Sequence, residues 1–424
     1  MQAEYFTRLF LFLLISGLGF RLWLEWRQIS HIGARRSAVP EAFANKISLA
    51  GHQKASDYNM AKSRLAIFEM LVDALLLLVL TVGGGIAALH VIFNSHFPTL
   101  SPLWTGVMLI ISLGLIGLLS GLPASIYRQF VIEESFGFNR MSGRLFVSDL
   151  GKQLLLSLLL GLPLIYGVLW LMGAMGEYWW LWAWLAWSAF NLLLLWLYPA
   201  VIAPWFNKFT QLEDDGVKSR VEELMKRCNF AMQGLFVMDA SKRSSHGNAY
   251  FTGFGRVRRV VLFDTLLKYL NPEEIEAILA HELGHLKHKH IAKRLLMSLA
   301  ASLFFLWMLS VLLDAHWFFA GLGAPLQADN ALALALFFLA APVFLTPLTP
   351  LFTYLSRLDE FEADRYAARQ ASGEALAQAL IKLYEDNAAT LTPDPLHSLY
   401  YDSHPPAVQR VARLRNNNLV GARA

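Results

Sequence analysis

The chain runs to 424 residues, 56% of them hydrophobic and only 16% charged, with a formal net charge of +4 and a mean hydropathy of +0.43. So apolar a balance excludes an ordinary water-soluble domain and marks a protein that lives in a bilayer. The single cysteine, Cys228, excludes an internal disulfide and any cysteine-built metal site, and reads as a small residue packed in a helix.

Runs near 20 apolar residues give seven candidate spans, roughly 5–25, 66–93, 102–124, 153–174, 178–203, 294–314 and 331–355. The first is too long for a signal peptide and has no small-residue cleavage site, so it reads as a retained anchor. Glu69 and Asp73 stand one turn apart in the second span, where acids either line a polar cavity or snorkel to the interface. Pro342, Pro347 and Pro350 should kink the seventh.

Lys and Arg near span ends mark the cytoplasmic side. Arg27, Arg35, Arg36, Lys46, Lys54, Lys62 and Arg64 lie between the first two spans, Arg128, Arg140 and Arg144 follow the third, and 204–290 is rich in both types. Residues 94–101, 173–177 and 315–330 hold neither. Every second loop is therefore basic, which predicts an outside N-terminus with a cytoplasmic C-terminus and main soluble region. Those loops also account for a pI near 9.0 without a nucleic-acid partner.

The soluble region should open with an amphipathic helix from Glu213 to Cys228, followed by short strands at Gly234–Met238, Asn248–Gly253 and Arg259–Phe263. The predicted division is spans one to five over 1–203, a cytoplasmic region over 204–290, spans six and seven over 291–355, and C-terminal cytoplasmic helices over 356–424. Asn271-Pro272-Glu273-Glu274 starts a helix, with Asn as N-cap, Pro at the first helical position and two acids in the first turn. No breaker follows Pro272 before Asp314, so this helix is expected to run on into span six.

On it lies His281-Glu282-Leu283-Gly284-His285, the HExxH pattern of zinc proteases. Residues i and i+4 share a helix face about 5–6 Å apart, so both imidazoles can reach one ion. Zn²⁺ suits them, because it accepts imidazole nitrogen and prefers four ligands; one Zn²⁺ per chain is expected. Glu282 sits beside the metal rather than on it and can take a proton from the attacking water. The bland alternative is an amphipathic helix whose histidines face solvent.

A third protein ligand is needed, and the metzincin pattern fails because His288 stands where Gly would be required and Ile291 where His would. A downstream carboxylate is the candidate. Within Glu360-Phe361-Glu362-Ala363-Asp364, Glu360 and Asp364 share a face and offer a metal ligand and a carboxylate for a ligand histidine's free N–H. Asp359 and Glu362 compete for these roles on spacing alone.

Together the residues resemble the CAAX prenyl protease 1 family of integral-membrane zinc metallopeptidases, from about Val39 to Leu414. The resemblance rests on Val131-Ile132-Glu133-Glu134-Ser135-Phe136-Gly137-Phe138-Asn139-Arg140, Gly247-Asn248-Ala249-Tyr250-Phe251, Val260-Val261-Leu262-Phe263-Asp264-Thr265-Leu266, HELGH, the Glu360–Asp364 stretch and Ser403-His404-Pro405-Pro406. It implies a mainly α membrane protein of about seven transmembrane helices around a large chamber, with a cytoplasmic zinc-metallopeptidase region containing a small β-sheet. It singles out Glu360 as the third ligand and implies that Asn248, Ala249, Tyr250 and Phe251 pair with extended substrate. His404 and Arg410 are implied to lie close to zinc and to steady the oxyanion. His246, His288, His290 and His397 read as solvated or structural.

The expected activity is zinc-dependent hydrolysis of peptide bonds in CAAX-type or membrane-associated peptides, lipidated or not, with the bilayer as the other partner. The chain shows no dilysine-type retrieval tail and ends Val420-Gly421-Ala422-Arg423-Ala424, which points to a bacterial inner membrane. An intramembrane site-2 type protease is disfavoured, since Lys287, Lys289, Lys293 and Arg294 follow the motif directly. A transporter or chaperone would have no use for His281, Glu282, His285 and Glu360 together; a lipid-modifying enzyme is the remaining alternative.

Overall fold

The computed structural model describes residues 2–252, 259–325 and 329–421, with side chains as far as 416. Six helices among them are long and apolar enough to cross a membrane: Ala3–Arg35, Pro102–Glu133, Gly143–Ala174, Gly176–Phe206, His290–Leu312 and Asn330–Gln370. The second predicted span is not one rod. Leu49–Leu80 and Gly85–His96 form a pair bent by 53°, and counting that pair once brings the spans to seven. The bend falls at Gly83-Gly84-Gly85, where Gly84 takes a left-handed φ of 75° that only glycine adopts without penalty. The last span is interrupted as its prolines suggest. A helix over Asn330–Leu345 tolerates Pro342, a 3₁₀ turn at Thr346–Leu348 contains Pro347, and a new helix over Thr349–Gln370 has Pro350 in its first turn.

Neither acid of the second span is enclosed: Glu69 pairs with Arg128 at 2.7 Å, and Asp73 borders a small cavity without being buried. Apolar packing divides into two main bodies. One surrounds the Asn330–Leu345 helix with Phe10, Leu109, Leu309 and Leu332. The other encloses the HELGH helix, Pro272–Lys287, with Val221, Leu262, Leu279 and Ile381 among its buried members. That helix begins at a full capping box: Asn271 accepts from the Glu274 amide while Glu274 accepts from the Asn271 amide. The amphipathic helix ahead of the sheet spans Asp215–Arg227, with Cys228 as its C-cap and bonded to Gln370 at 3.6 Å.

Four strands form one sheet: β1 (Phe209–Gln211), β2 (Gly234–Met238), β3 (Ala249–Thr252) and β4 (Arg259–Phe263), in the order β1-β2-β4-β3. β2 and β4 run parallel, whereas β3 pairs antiparallel with β4 from Ala249↔Leu262 to Thr252↔Arg259. The expected strand at Asn248–Gly253 is thus β3, and Gly253 lies outside the described residues. β3 is an edge strand, and the HELGH helix packs against it.

The expectation of one unbroken helix from Pro272 into span six is wrong. The HELGH helix ends at Lys287, and the span begins at His290. Between them Lys289 adopts φ 57°, a left-handed conformation without a glycine to ease it. Strain of this kind persists only where its surroundings enforce it, and it clusters at functional sites.

Candidate metal centre

The HELGH helix lies against the Thr349–Gln370 helix, and Gly284 sets their approach. A Cβ there would come within 2.8 Å of the Ala363 Cα and 3.1 Å of its carbonyl oxygen. Only glycine lets the two backbones close to this distance, and the closeness brings Glu360 beside both motif histidines.

His281 Nε2 lies 3.2 Å from His285 Nε2, and the two nitrogens lie 3.4 and 3.3 Å from the Glu360 carboxylate oxygens. A tetrahedral ion with bonds of about 2.0–2.1 Å holds its ligands about 3.3 Å apart, which matches the separation of the two nitrogens and of each nitrogen from its nearer Glu360 oxygen, Oε2 for His281 and Oε1 for His285. Glu360 is 2% exposed, and its Oε2 has no properly directed hydrogen bond, although a buried carboxylate oxygen demands a partner. The donor set therefore fits Zn²⁺.

Hydrogen bonds set the imidazole tautomers to match. His281 Nδ1 reaches Asp364 Oδ1 at 2.9 Å, and Arg410 grips Asp364 through two nitrogens at 2.6 and 2.9 Å. All three side chains are buried. Burial alone would lower the His281 pKa, but its bonds to Asp364 and Glu360 outweigh that and carry it up to about 9. With Nδ1–H given to Asp364, it is Nε2, the nitrogen beside Glu360, that would give up its proton and turn a lone pair to a bound metal.

His285 is supported on its other side by His290, which the sequence reads only as solvated or structural. His285 Nδ1 lies 2.9 Å from His290 Nδ1, and His290 Nε2 lies 2.9 Å from Glu362 and 3.5 Å from Asp359. The N–H of His285 can thus donate to His290, whose own N–H donates to a carboxylate. Asp359 and Glu362, the rivals of Glu360 on spacing, sit on His290 rather than on the motif histidines. These three form a second group of metal-type side chains among the described residues. His288 joins them through Glu362 at 3.0 Å. The break at Lys289 makes this possible: on a straight helix, residue i+5 points about 140° away from residue i.

Glu282 belongs to neither cluster; burial raises its pKa above the usual range, against the pull of His281 and His285. His404, on the loop before the last helix, is 61% exposed and brings Nδ1 to 2.8 Å from Glu360 Oε2. Arg410 Nη1 lies 3.6 Å from the same oxygen. Two further histidines keep structural partners: His246 bonds Asn387 at 3.1 Å, and His397 bonds Glu25 at 3.2 Å.

Comparison with known proteins agrees with this architecture. Residues 28–208 match the family model described as the CAAX prenyl protease N-terminal, five membrane helices, and 211–418 match peptidase family M48. The CAAX prenyl protease 1 of Saccharomyces cerevisiae is 30% identical over 425 residues, covering 94% of this chain and 93% of the yeast protein. The human CAAX prenyl protease 1 homolog is 33% identical over 336 residues, 70% of each chain. The crystal structure of S. mikatae Ste24p superposes with a TM-score of 0.88 at 28% identity, covering 98% of this chain and 99% of that one. With its membrane helices, its M48 domain and relatives alike over most of their length, the chain belongs to the CAAX prenyl protease 1 family and is a multi-pass membrane metallopeptidase.

Proposed function

We propose that the protein is a zinc-dependent endopeptidase that cuts extended peptides at the membrane surface, on the cytoplasmic side marked by its basic loops. The observation that carries this reading is the meeting of His281, His285 and Glu360, whose ligand atoms all lie within 4.8 Å of one another, beside a carboxyl, Glu282, that ligates nothing. Zn²⁺ bound there supplies Lewis-acid polarisation of the scissile carbonyl and of an attacking water.

The chain's own groups do the rest. Glu282 acts as general base, and burial makes its carboxylate a stronger one than an exposed glutamate. His404, exposed yet hydrogen-bond close to Glu360, is placed to donate to the oxyanion as charge develops. Arg410 is 5% exposed and spends its guanidinium on Asp364, so we assign it to positioning His281 rather than to contact with substrate. β3 is an edge strand against the HELGH helix, and an extended peptide added there would be bound through main-chain hydrogen bonds that tolerate many side chains. Asn248, Ala249, Tyr250 and Phe251 supply that edge.

The name shared by the relatives points to C-terminal CAAX peptides as substrates. A lipid on the peptide would add apolar burial without entering the chemistry. The test is metal analysis of the purified protein with a peptide-cleavage assay on matched lipidated and unlipidated peptides. One Zn²⁺ per chain and cleavage of both, the lipidated better, is expected; cleavage of lipidated Cys-containing peptides alone would narrow the enzyme to a dedicated CAAX protease. N-methylation of single amides beside the scissile bond should slow cleavage a few-fold to tenfold, since each net hydrogen bond is worth about 0.5–1.5 kcal/mol. Indifference to N-methylation would remove the β3 assignment.

A further inference from the structure

A cavity of about 490 Å³ adjoins the metal centre, lined by Tyr58, Lys62, His246, Asn387, Asp402 and His404 among others. It opens at one end of β3, because His246 lies three residues before Ala249, the first residue of that strand. A peptide pairing antiparallel with β3 would enter beside Thr252 and leave past Ala249, so the residues after the scissile bond would pass into this cavity.

The polar groups around it are mostly spoken for. The Tyr58 hydroxyl donates to Glu133 at 2.6 Å, His246 Nε2 lies 3.5 Å from Glu133, and His246 Nδ1 bonds Asn387 at 3.1 Å. Lys62 is the one lysine or arginine among the described residues that line the cavity. One turn beyond Tyr58 on the Leu49–Leu80 helix, it is exposed to the cavity, and its ammonium lies 4.9 Å from the Tyr58 ring centre. Among the described residues no carboxylate comes within ion-pair distance of it. Asp402 is the one acid on this wall, and burial raises its pKa, which opposes its ionisation.

We propose that this cavity receives the C-terminal residues of the substrate and that Lys62 binds the substrate's terminal carboxylate. Glu133 is the nearby acid, but it makes no ion pair with Lys62 and is engaged by the Tyr58 hydroxyl and His246, so a cation on a tyrosine face at the exit end of the substrate strand is left complementary to a free chain end. Lys62 would then act as a ruler, favouring peptides whose C-terminus lies a fixed, short distance beyond the scissile bond. The inference deepens the endopeptidase reading above and rests on it.

The test compares three peptides that differ only at the C-terminus: a free acid three residues beyond a prenylated cysteine, its C-terminal amide, and the acid extended by one residue. For the wild type, amidation or extension should raise KM about tenfold or more, the size of a lost charge-assisted hydrogen bond. Lys62→Met should bring the acid-to-amide ratio near one, whereas Lys62→Arg should keep most of it. Lys54→Met, which removes a lysine two turns away over the Phe138 ring, should leave the wild-type ratio. Equal KM for acid and amide in the wild type, or an undiminished ratio in Lys62→Met, overturns the assignment. Affinities of acid and amide for the Glu282→Gln protein read the same contact without turnover. A tenfold preference there with no cleavage by the wild type would sink the protease reading and keep Lys62, while cleavage without the preference would do the reverse.

Discussion

The two histidines of the proposed metal centre are held by unlike means. His281 rests on a dry support, Asp364 and Arg410, both buried and joined by a forked ion pair. His285 rests on a wetter one: His290 is buried, but its carboxylate partners Glu362 and Asp359 are 35% and 22% exposed at the side chain. Both supports leave a ligand lone pair facing the same point, yet they differ in what they resist. A buried pair is rigid and punishes the loss of either member, whereas a partly solvated carboxylate can be replaced in part by water or by its neighbour. The difference implies that His281 is a fixed post of the site and His285 an adjustable one.

The largest effects come from changes that ignore this distinction. Replacing His281, His285 or Glu360 with Ala should lower zinc occupancy itself, measured by metal analysis. Glu282→Gln should keep the metal and lower the cleavage rate by about 10²–10⁴. Equal metal loss in all four variants would remove the separation of ligand from base, and with it the meaning of the two supports.

Asp364→Ala against His290→Asn is the direct test of the asymmetry. The first strands the buried Arg410 cation, which should destabilise the protein by about 3–5 kcal/mol. The second removes an outer partner and should weaken zinc about 10- to 100-fold with a smaller loss of stability. Thermal unfolding and competition with a chelator report the two quantities separately. Similar melting temperatures for the two variants would show that the dry support is no more rigid than the wet one.

Much of this centre is legible in the amino-acid order alone, and the part that is not has a definite cause. His281 and His285 are found by i, i+4 spacing, and Glu360 with Asp364 by the same rule on a second helix. The apolar spans follow from hydropathy, because a helix in lipid has no other composition open to it. The role of His290 is hidden because it depends on a helix break with neither glycine nor proline to announce it; on a continuous helix it would face away. The bend in the second span does carry a signal, three consecutive glycines at 83–85, but an uninterrupted apolar run masks it. The pairing of Asp359 and Glu362 with His290 requires the tertiary fold, since spacing cannot say which of four nearby acids meets which ring.

Gly284 tests whether the post is fixed by backbone contact as well as by charge. Gly284→Ala must push the Ala363 backbone away from a 2.8 Å approach, with strain of about 1–3 kcal/mol, and would draw Glu360 off both histidines together. Lower stability with weaker zinc binding is expected, whereas loss of stability with unchanged zinc affinity would mean that the helix pair can slide apart without disturbing its ligands.

The smallest effect should come from Glu362→Gln. Its carboxylate holds His290 Nε2 at 2.9 Å, but Asp359 stands at 3.5 Å from the same nitrogen and is itself tied to Arg294 at 3.1 Å. With a second acid in reach and both partly solvated, the change should weaken zinc only about two- to fivefold, within the range of exposed ion pairs of about 0.2–1 kcal/mol. The deficit should shrink further in high salt, where wild-type pairing is already screened. Chelator competition at low and high ionic strength measures both. A loss as large as that of His290→Asn, unmoved by salt, would mean that Glu362 supports His285 as firmly as Asp364 supports His281, and the adjustable side of the centre would have to be redrawn as a second rigid one.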